Sequence, residues 1–365
     1  MWLTRVSSSH FLKLLNWRDD SYEIQIEPGL FQKIPADLKD QEFGEKYCIV
    51  TDTNTRKFYG ERLLKALHEA GLEASMISFQ SGEGRKTLET IGKLAEQMVQ
   101  LGHHRTSCVI ALGGGVVGDI GGFLASIFMR GIPFVHVPTT LLAMGDSAIG
   151  GKTGVDLRIG KNLVGTTAQP QKVYVDPALL ATLPKKQIQN GLAEIIKHGL
   201  IADRKIYKIL KKFPEDAGNA NTVLLTKLLI RSCKVKTRIV EKDERETGVR
   251  MLLNYGHTIG HAIEYASGYR LSHGQAIAIG MNLENRLAVD LKLQSPKTCE
   301  QIEQVLRSLG LPTRLPDKLE REPILKAIRR DKKHTAHGFT FVLLKRPGKP
   351  KIVRGITEDQ VRAVL

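Results

Sequence analysis

Between residues 47 and 140, short apolar runs alternate with stretches whose apolar positions recur every three or four residues. Tyr47-Cys48-Ile49-Val50-Thr51 is apolar on both faces and predicts a buried strand, and residues 55–70 carry an amphipathic helical period. The pattern repeats with a strand over 74–79, a helix over 88–101, a strand over 107–112 and a fourth strand over 133–137. Short apolar strands separated by helices predict a parallel sheet covered on both faces. After about Thr182 the helical period dominates as far as Asp331, and a β-like pair over 339–344 and 351–354 closes the chain. The fold class expected is α/β, with a mainly parallel-sheet domain followed by a mainly α-helical one. The expected division is an arm over 1–20, a sheet domain over 21–181 and a helical domain over 182–365; a chain of 365 residues suits two domains.

Composition narrows the class. The net charge is +16, from 54 basic and 38 acidic residues, so a nucleic-acid partner has to be weighed. The basic residues are spread, however, with tight clusters only at 208–212 and 329–333, and no aromatic residues interleave them. The charge instead suits a small, strongly anionic substrate drawn to a cationic cleft. No apolar stretch reaches the roughly 18 residues that span a bilayer, so no membrane partner is expected. Cys48, Cys108, Cys233 and Cys299 form no CxxC pair, which fits a reducing, cytoplasmic compartment.

The densest chemistry lies in Asn254-Tyr255-Gly256-His257-Thr258-Ile259-Gly260-His261, followed by Ser272-His273-Gly274. His257 and His261 share a helix face, His273 arrives on a loop, and Glu194 adds a carboxylate inside an apolar helical run. Two imidazoles and a carboxylate with an open fourth position form the ligand set of a catalytic zinc. Hydrogen-bonded core histidines are the plainer alternative, but the flanking glycines imply a close approach. Upstream, Gly113-Gly114-Gly115 at a strand end offers bare backbone N–H groups to a pyrophosphate. Asp52-Thr53-Asn54 and Glu83-Gly84-Arg85-Lys86 follow two neighbouring strands, where an acidic side chain reaches ribose hydroxyls. Residues 146–154 and 160–162, rich in Gly, Lys and Asn, resemble a phosphate cradle without Walker spacing.

Taken together these segments resemble the sugar-phosphate cyclase family, and within it the dehydroquinate synthases. The matching runs are Gly-Gly-Gly-Val-Val-Gly-Asp (113–119), Val-Pro-Thr-Thr-Leu-Leu-Ala (137–143), Asp-Ser-Ala-Ile-Gly-Gly-Lys-Thr-Gly (146–154) and Gly-Lys-Asn (160–162). They continue with Gly-Leu-Ala-Glu-Ile-Ile-Lys (191–197), Asp-Glu-Arg-Glu (243–246), Leu-Asn-Tyr-Gly-His-Thr-Ile-Gly-His (253–261), His-Gly (273–274) and Asp-Lys-Lys (331–333). The resemblance implies an N-terminal NAD-binding domain, a C-terminal metal- and substrate-binding domain, and a site in the cleft between them. It implies conversion of 3-deoxy-D-arabino-heptulosonate 7-phosphate to 3-dehydroquinate and phosphate, with NAD reduced and reoxidised within one turnover. Elimination of phosphate and an aldol closure would complete the reaction.

By the same resemblance Glu194, His257 and His273 bind a divalent metal, zinc or cobalt, while His261 handles substrate protons. Lys197 points into the same pocket. Lys152, Asn162 and one of Lys332 or Lys333 hold the phosphate. Lys236, Arg250 and Asn254 surround the substrate carboxylate, and Asp146 and Glu246 contact its hydroxyls. Asp52, Asn54, Glu83, Lys86, Gly114, Gly115, Asp119, Thr139, Thr140, Lys161 and Thr182 match the cofactor contacts. Arg130 matches a residue that reaches the phosphate in a neighbouring subunit, which implies a homodimer.

Two positions depart from the family pattern: Thr166-Thr167-Ala168 lacks an aromatic before Gln169-Pro170, and Gln275 replaces the Glu that usually follows His-Gly. The second removes a charge beside a metal ligand and alters its expected surroundings. Competing readings are a sister cyclase whose substrate lacks the carboxylate and a metal-dependent polyol dehydrogenase. The cationic set at Lys236 and Arg250 argues against the first, because a site without a carboxylate should not bury that charge.

Overall fold

The computed structural model describes residues 20–157, 159–330 and 338–365, together with the backbone of two short strands near the N-terminus. Those strands, Thr4–Val6 and Leu12–Leu14, pair antiparallel within what the sequence predicts as an irregular arm.

Six parallel strands form the central sheet, in the order Glu23–Ile26, Lys172–Val175, Phe134–Pro138, Ser107–Gly113, Lys46–Asp52 and Glu73–Phe79. The four strands expected from sequence are present with ends shifted by about one residue. Along Lys46–Asp52, Tyr47 and Ile49 join one apolar cluster while Cys48 and Val50 join another, so both sheet faces are covered. The helices Leu88–Gln100 and Gly115–Ile127 cover the Cys48 face. On the opposite face the cluster continues without a break into Leu192, Ile195 and Ile196 of the helix Lys185–Ile201 and Leu228 of Thr222–Lys242.

Several elements differ from expectation. The single helix predicted over 55–70 is broken by a wider turn at Arg56–Gly60 before Glu61–Glu69. A Cβ on Gly60 would meet Met76 Sδ at 2.8 Å, so the chain passes close to the neighbouring strand there. The segments whose Gly, Lys and Asn resemble a phosphate cradle contain an antiparallel hairpin not expected from the sequence, Lys152–Leu157 with Gly160–Thr167, packed against Gly115–Ile127. The helical half includes His257–Ala266, His273–Asp290, Pro296–Ser308 and Arg321–Arg330, and ends with the hairpin Phe339–Arg346 and Lys349–Ile356. Among the described residues no helix is long and apolar enough to cross a membrane. All four cysteines are buried and free.

Candidate active site

Strand order fixes where a ligand fits. The chain steps outward from Lys46–Asp52 to Glu73–Phe79 and then returns to Ser107–Gly113 on the other side, so the order reverses between the ends at Asp52 and Gly113. Crevices at such reversals are the binding edge of an open parallel sheet. Gly114 caps the helix Gly115–Ile127 with no side-chain cap, and the first N–H groups of a helix have no partner within it. A Cβ on Gly114 would sit 3.0 Å from Thr140 Cγ2, and one on Gly115 would sit 3.1 Å from Ser147 Oγ. Thr139 N donates to Gly113 O at 2.9 Å, fixing the adjoining turn.

Around this edge stand the other residues expected at a cofactor. Asp52 Oδ1 accepts from Asn54 N and Thr55 N, both at 2.8 Å, and so caps the next turn. Lys86 is buried, with Nζ 2.5 Å from Asp119 Oδ2 and in contact with Asn162 Oδ1. Burial is the largest influence on Lys86 and opposes its charge, but Asp119, Glu83 and Asp156 outweigh it and raise its pKa. Lys161 Nζ lies 2.8 Å from Glu83 Oε1 and 2.8 Å from Glu264 Oε1. Thr182 Oγ1 is 2.7 Å from Tyr59 OH. Asn162 is therefore in contact with Lys86, while its backbone N–H donates to Asp156 Oδ1 at 2.8 Å. Lys152 stands at the far end of the hairpin, where it pairs with Glu246.

The second cluster is built where three helices meet. A Cβ on Gly280 would collide with Gly256 O and lie 2.8 Å from Gly260 N. Only a bare backbone at that crossing lets His257–Ala266 and His273–Asp290 approach so closely, and it brings their first histidines together. Donor atoms of His257, His261 and His273 lie within 4.8 Å of one another, as do those of Asp146, Glu194 and His198. Glu194 joins the two groups, with Oε1 3.5 Å from both His257 Nε2 and His273 Nε2. That spacing is long for a hydrogen bond. It is close to the roughly 3.3 Å between neighbouring donors around a tetrahedral ion with bonds of about 2.0–2.1 Å.

The surroundings of the three side chains fit such an ion. Glu194 is fully buried and neither oxygen has a hydrogen bond among the described residues; Lys197 Nζ touches Oε2 as an ion pair without hydrogen-bond alignment. His257 Nδ1 lies 3.1 Å from Tyr255 O, and His273 Nδ1 lies 3.2 Å from Glu264 Oε2. Acceptors at both Nδ1 atoms turn both Nε2 atoms toward Glu194. Burial and the Lys197 charge push His257 well below the ordinary imidazole range, so it is neutral. Burial opposes charge on His273 as well, but Glu194 and Glu264 on either side outweigh it and raise its pKa to about 10. A cation entering here would displace that proton.

Of the remaining expected residues, Asp146 stands beside Glu194 in this cluster. Asp146 Oδ1 is 2.7 Å from Lys236 Nζ and 3.5 Å from His198 Nε2. Asn254 Nδ2 donates to Glu246 Oε1 at 2.5 Å. Arg250 is 2% exposed and donates from Nη2 to Gly150 O at 3.0 Å and from Nη1 to Glu244 O. His261 is exposed, its ring centre 5.1 Å from that of His257. Arg130 is exposed, with φ 69, in a kink after Gly115–Ile127. Lys332 and Lys333 lie outside the described residues.

Two residues at the site escaped the sequence reading. Glu264 bridges His273 and Lys161, and His198 faces Asp146 while its Nδ1 lies 2.7 Å from Ser232 Oγ. The available signal was an ionisable group inside an apolar helical run, Ala262-Ile263-Glu264 and Ile196-Lys197-His198. Gln275 is also resolved: its Oε1 accepts from Ser272 N at 3.0 Å and caps the helix, while Glu264 supplies the carboxylate beside His273.

Residues 76–190 match the N-terminal 3-dehydroquinate synthase family and residues 191–334 match the C-terminal one. A 3-dehydroquinate synthase of Synechococcus sp. is 42% identical over 351 residues, covering 95% of each chain. The chain belongs to the 3-dehydroquinate synthase family. A second family relative, from Desulforamulus reducens, is 41% identical over 94% of this chain and 96% of its own. Among solved structures, a 2-epi-5-epi-valiolone synthase from Streptomyces hygroscopicus with NAD+ and Zn2+ bound aligns with TM-score 0.87 at 28% identity, covering 96% of this chain and 98% of that one. A 2-deoxy-scyllo-inosose synthase complexed with carbaglucose-6-phosphate, NAD+ and Co2+ gives TM-score 0.86 at 26% identity, covering 93% and 95%. An iron-containing alcohol dehydrogenase from Thermococcus thioreducens, 15% identical over 94% of this chain and 97% of its own, shares the fold with TM-score 0.65.

Proposed function

We propose that this protein is a 3-dehydroquinate synthase, a phosphate-eliminating cyclase that forms 3-dehydroquinate from 3-deoxy-D-arabino-heptulosonate 7-phosphate. The observation that carries the reading is a buried carboxylate, Glu194, aimed at two oriented imidazoles within a chain 42% identical to a family member along nearly its whole length. Glu194, His257 and His273 hold a divalent ion, zinc or cobalt. The crevice at Asp52, Asn54, Glu83, Lys86, Gly114, Gly115, Asp119, Thr139, Thr140, Lys161 and Thr182 holds NAD. When bound, the cofactor accepts and returns a hydride and the ion acts as a Lewis acid at a substrate hydroxyl.

The chain's own groups bind, orient and move protons. Lys197 neutralises Glu194 from the side away from the histidines, and Asp146, held by Lys236, faces the substrate hydroxyls. Glu246 is held by Lys152 and Asn254 and contacts another hydroxyl. Lys152, Asn162 and Lys333 (or its neighbour Lys332) bind the phosphate, and His261 takes or gives the proton next to it. Lys236, Arg250 and Asn254 receive the carboxylate. The site lies between a nucleotide domain over 21–181 and a helical domain over 182–365. Arg130 completes the phosphate site of a neighbouring subunit in a homodimer, and the protein works in the cytoplasm.

The sister-cyclase reading stands second because both cyclases named above act on related chemistry within the same fold. A phosphate-release assay decides between them. The heptulosonate phosphate should release phosphate only with NAD+ present and without net NADH. Faster release from a heptulose phosphate lacking the carboxylate would overturn the proposal.

A further inference from the structure

Glu264 lies two turns beyond His257 on His257–Ala266 and is buried. An ionised carboxylate removed from water needs partners on both oxygens. Oε2 lies 3.2 Å from His273 Nδ1, and Oε1 accepts from Lys161 Nζ at 2.8 Å. The same ammonium is 2.8 Å from Glu83 Oε1, in the turn that follows Glu73–Phe79, and 4.6 Å from the centre of the Tyr269 ring. A continuous chain of contacts thus joins the imidazole facing Glu194 to the crevice at the sheet edge. Hydrogen bonds and ion pairs hold every link.

We propose that Glu264 is a positioning residue that holds the His273 imidazole for the divalent ion and, through Lys161 and Glu83, couples ion binding to dinucleotide binding, so that NAD+ tightens the metal. The proposal rests on the reading of Glu194, His257 and His273 as ligands and of Lys161 and Glu83 as cofactor contacts. The argument is one of preorganisation. A hydrogen bond at Nδ1 sets the ring's rotation and points Nε2 at Glu194. A dinucleotide that fixes Glu83 fixes Lys161, and with it the carboxylate that holds the ring. The ion then meets a site already ordered, and by linkage the effect is reciprocal.

The test titrates Co2+ into chelator-treated, full-length protein, read by the visible absorption of the bound ion, with and without saturating NAD+. Wild type, Glu264→Gln and Lys161→Met are compared, with His257→Ala as the control for the ligand set. NAD+ should tighten Co2+ binding to the wild type by about fivefold or more. Glu264→Gln should weaken Co2+ about 10- to 100-fold, alter the absorption band and abolish the tightening. Lys161→Met should keep most of the cofactor-free Co2+ affinity and lose the tightening, and it carries the test if Glu264→Gln does not fold. A carboxylate that only stabilised the fold would lower the melting temperature and leave the band and the coupling unchanged. Wild-type Co2+ affinity in Glu264→Gln, or tightening that survives in both variants or is absent from the wild type, overturns the proposal. Undiminished Co2+ binding by His257→Ala would instead overturn the ligand assignment on which it rests.

Discussion

Arg250→Ala separates two roles carried by one guanidinium. In the structure the group is 2% exposed and donates to the buried Gly150 carbonyl at 3.0 Å and to Glu244 O. Those bonds tie the turn after Asp146 to the segment before Asn254, so the side chain braces the site whether or not substrate is bound. Truncation leaves the Gly150 carbonyl without its donor and a space where the stem packed, a loss of about 2–4 kcal/mol in stability. A guanidinium has five N–H donors, so others remain for a substrate carboxylate. A desolvated, charge-assisted pair contributes about 1.5–3 kcal/mol, so kcat/KM should fall about ten- to a hundredfold further for a substrate that carries the carboxylate. The assay is phosphate release from the heptulosonate phosphate and from an analogue with the carboxylate replaced by hydroxymethyl, alongside urea unfolding. Arg250→Lys should retain part of the stability but little of the discrimination, because an ammonium cannot form the two-pronged contact. Equal losses on both substrates, however large the change in stability, would refute carboxylate recognition and leave Arg250 a brace.

Other outcomes follow from the same geometry. His257→Ala should abolish turnover and lose the metal while binding NAD+ about as well as the metal-free wild type, since the crevice lies at the sheet edge; metal analysis at wild-type occupancy would refute it. On the proposal that Arg130 completes a neighbouring subunit's phosphate site, Arg130→Ala and Lys152→Ala chains, each inactive alone, should regain a substantial fraction of activity when mixed. Mixed dimers as inactive as their parents would show that Arg130 does not act across an interface. Burial holds His136 at about 4, below the ordinary value of about 6.5. The unfolded chain therefore takes up that proton first as pH falls. The stability linked to His136 is whole above about pH 6.5 and is lost as pH drops through about 4. Between pH 6.5 and 4.5 this amounts to about 2 kcal/mol. Urea unfolding across that range should show a slope that flattens in His136→Gln, and an unchanged slope would reject the assignment.

The parts of this fold that were legible in the sequence are those whose burial is local and two-sided. Tyr47-Cys48-Ile49-Val50 and Ser107–Gly113 are apolar on both faces, and no tertiary knowledge is needed to read them as central strands. Glu23–Ile26 and Lys172–Val175 were not legible, because four residues of mixed polarity become strands only by pairing with each other and with the sheet. The hairpin over 152–167 was hidden for a related reason. Its glycines and lysines read as a phosphate cradle with no strand assigned, and it is held by the helix Gly115–Ile127 beneath it.

The site shows the same boundary at the scale of single atoms. Helical spacing brought His257 and His261 to notice as a pair, and the resemblance to the cyclases named Glu194, His257 and His273. Neither could say what turns a particular nitrogen toward a particular oxygen. The structure answers with acceptors from elsewhere: Tyr255 O behind His257 and Glu264 behind His273, each leaving Nε2 3.5 Å from Glu194 Oε1. Glu264 meets His273 only because two helices cross at Gly256, Gly260 and Gly280 with no side chain between their backbones. The replacement at Gln275 is understood in the same terms. Removing a charge next to His273 in sequence does not remove the charge next to it in space, because the carboxylate at its Nδ1 comes from the crossing helix and Gln275 turns back to cap its own. A donor set can be nominated by spacing. Its orientation belongs to the packing.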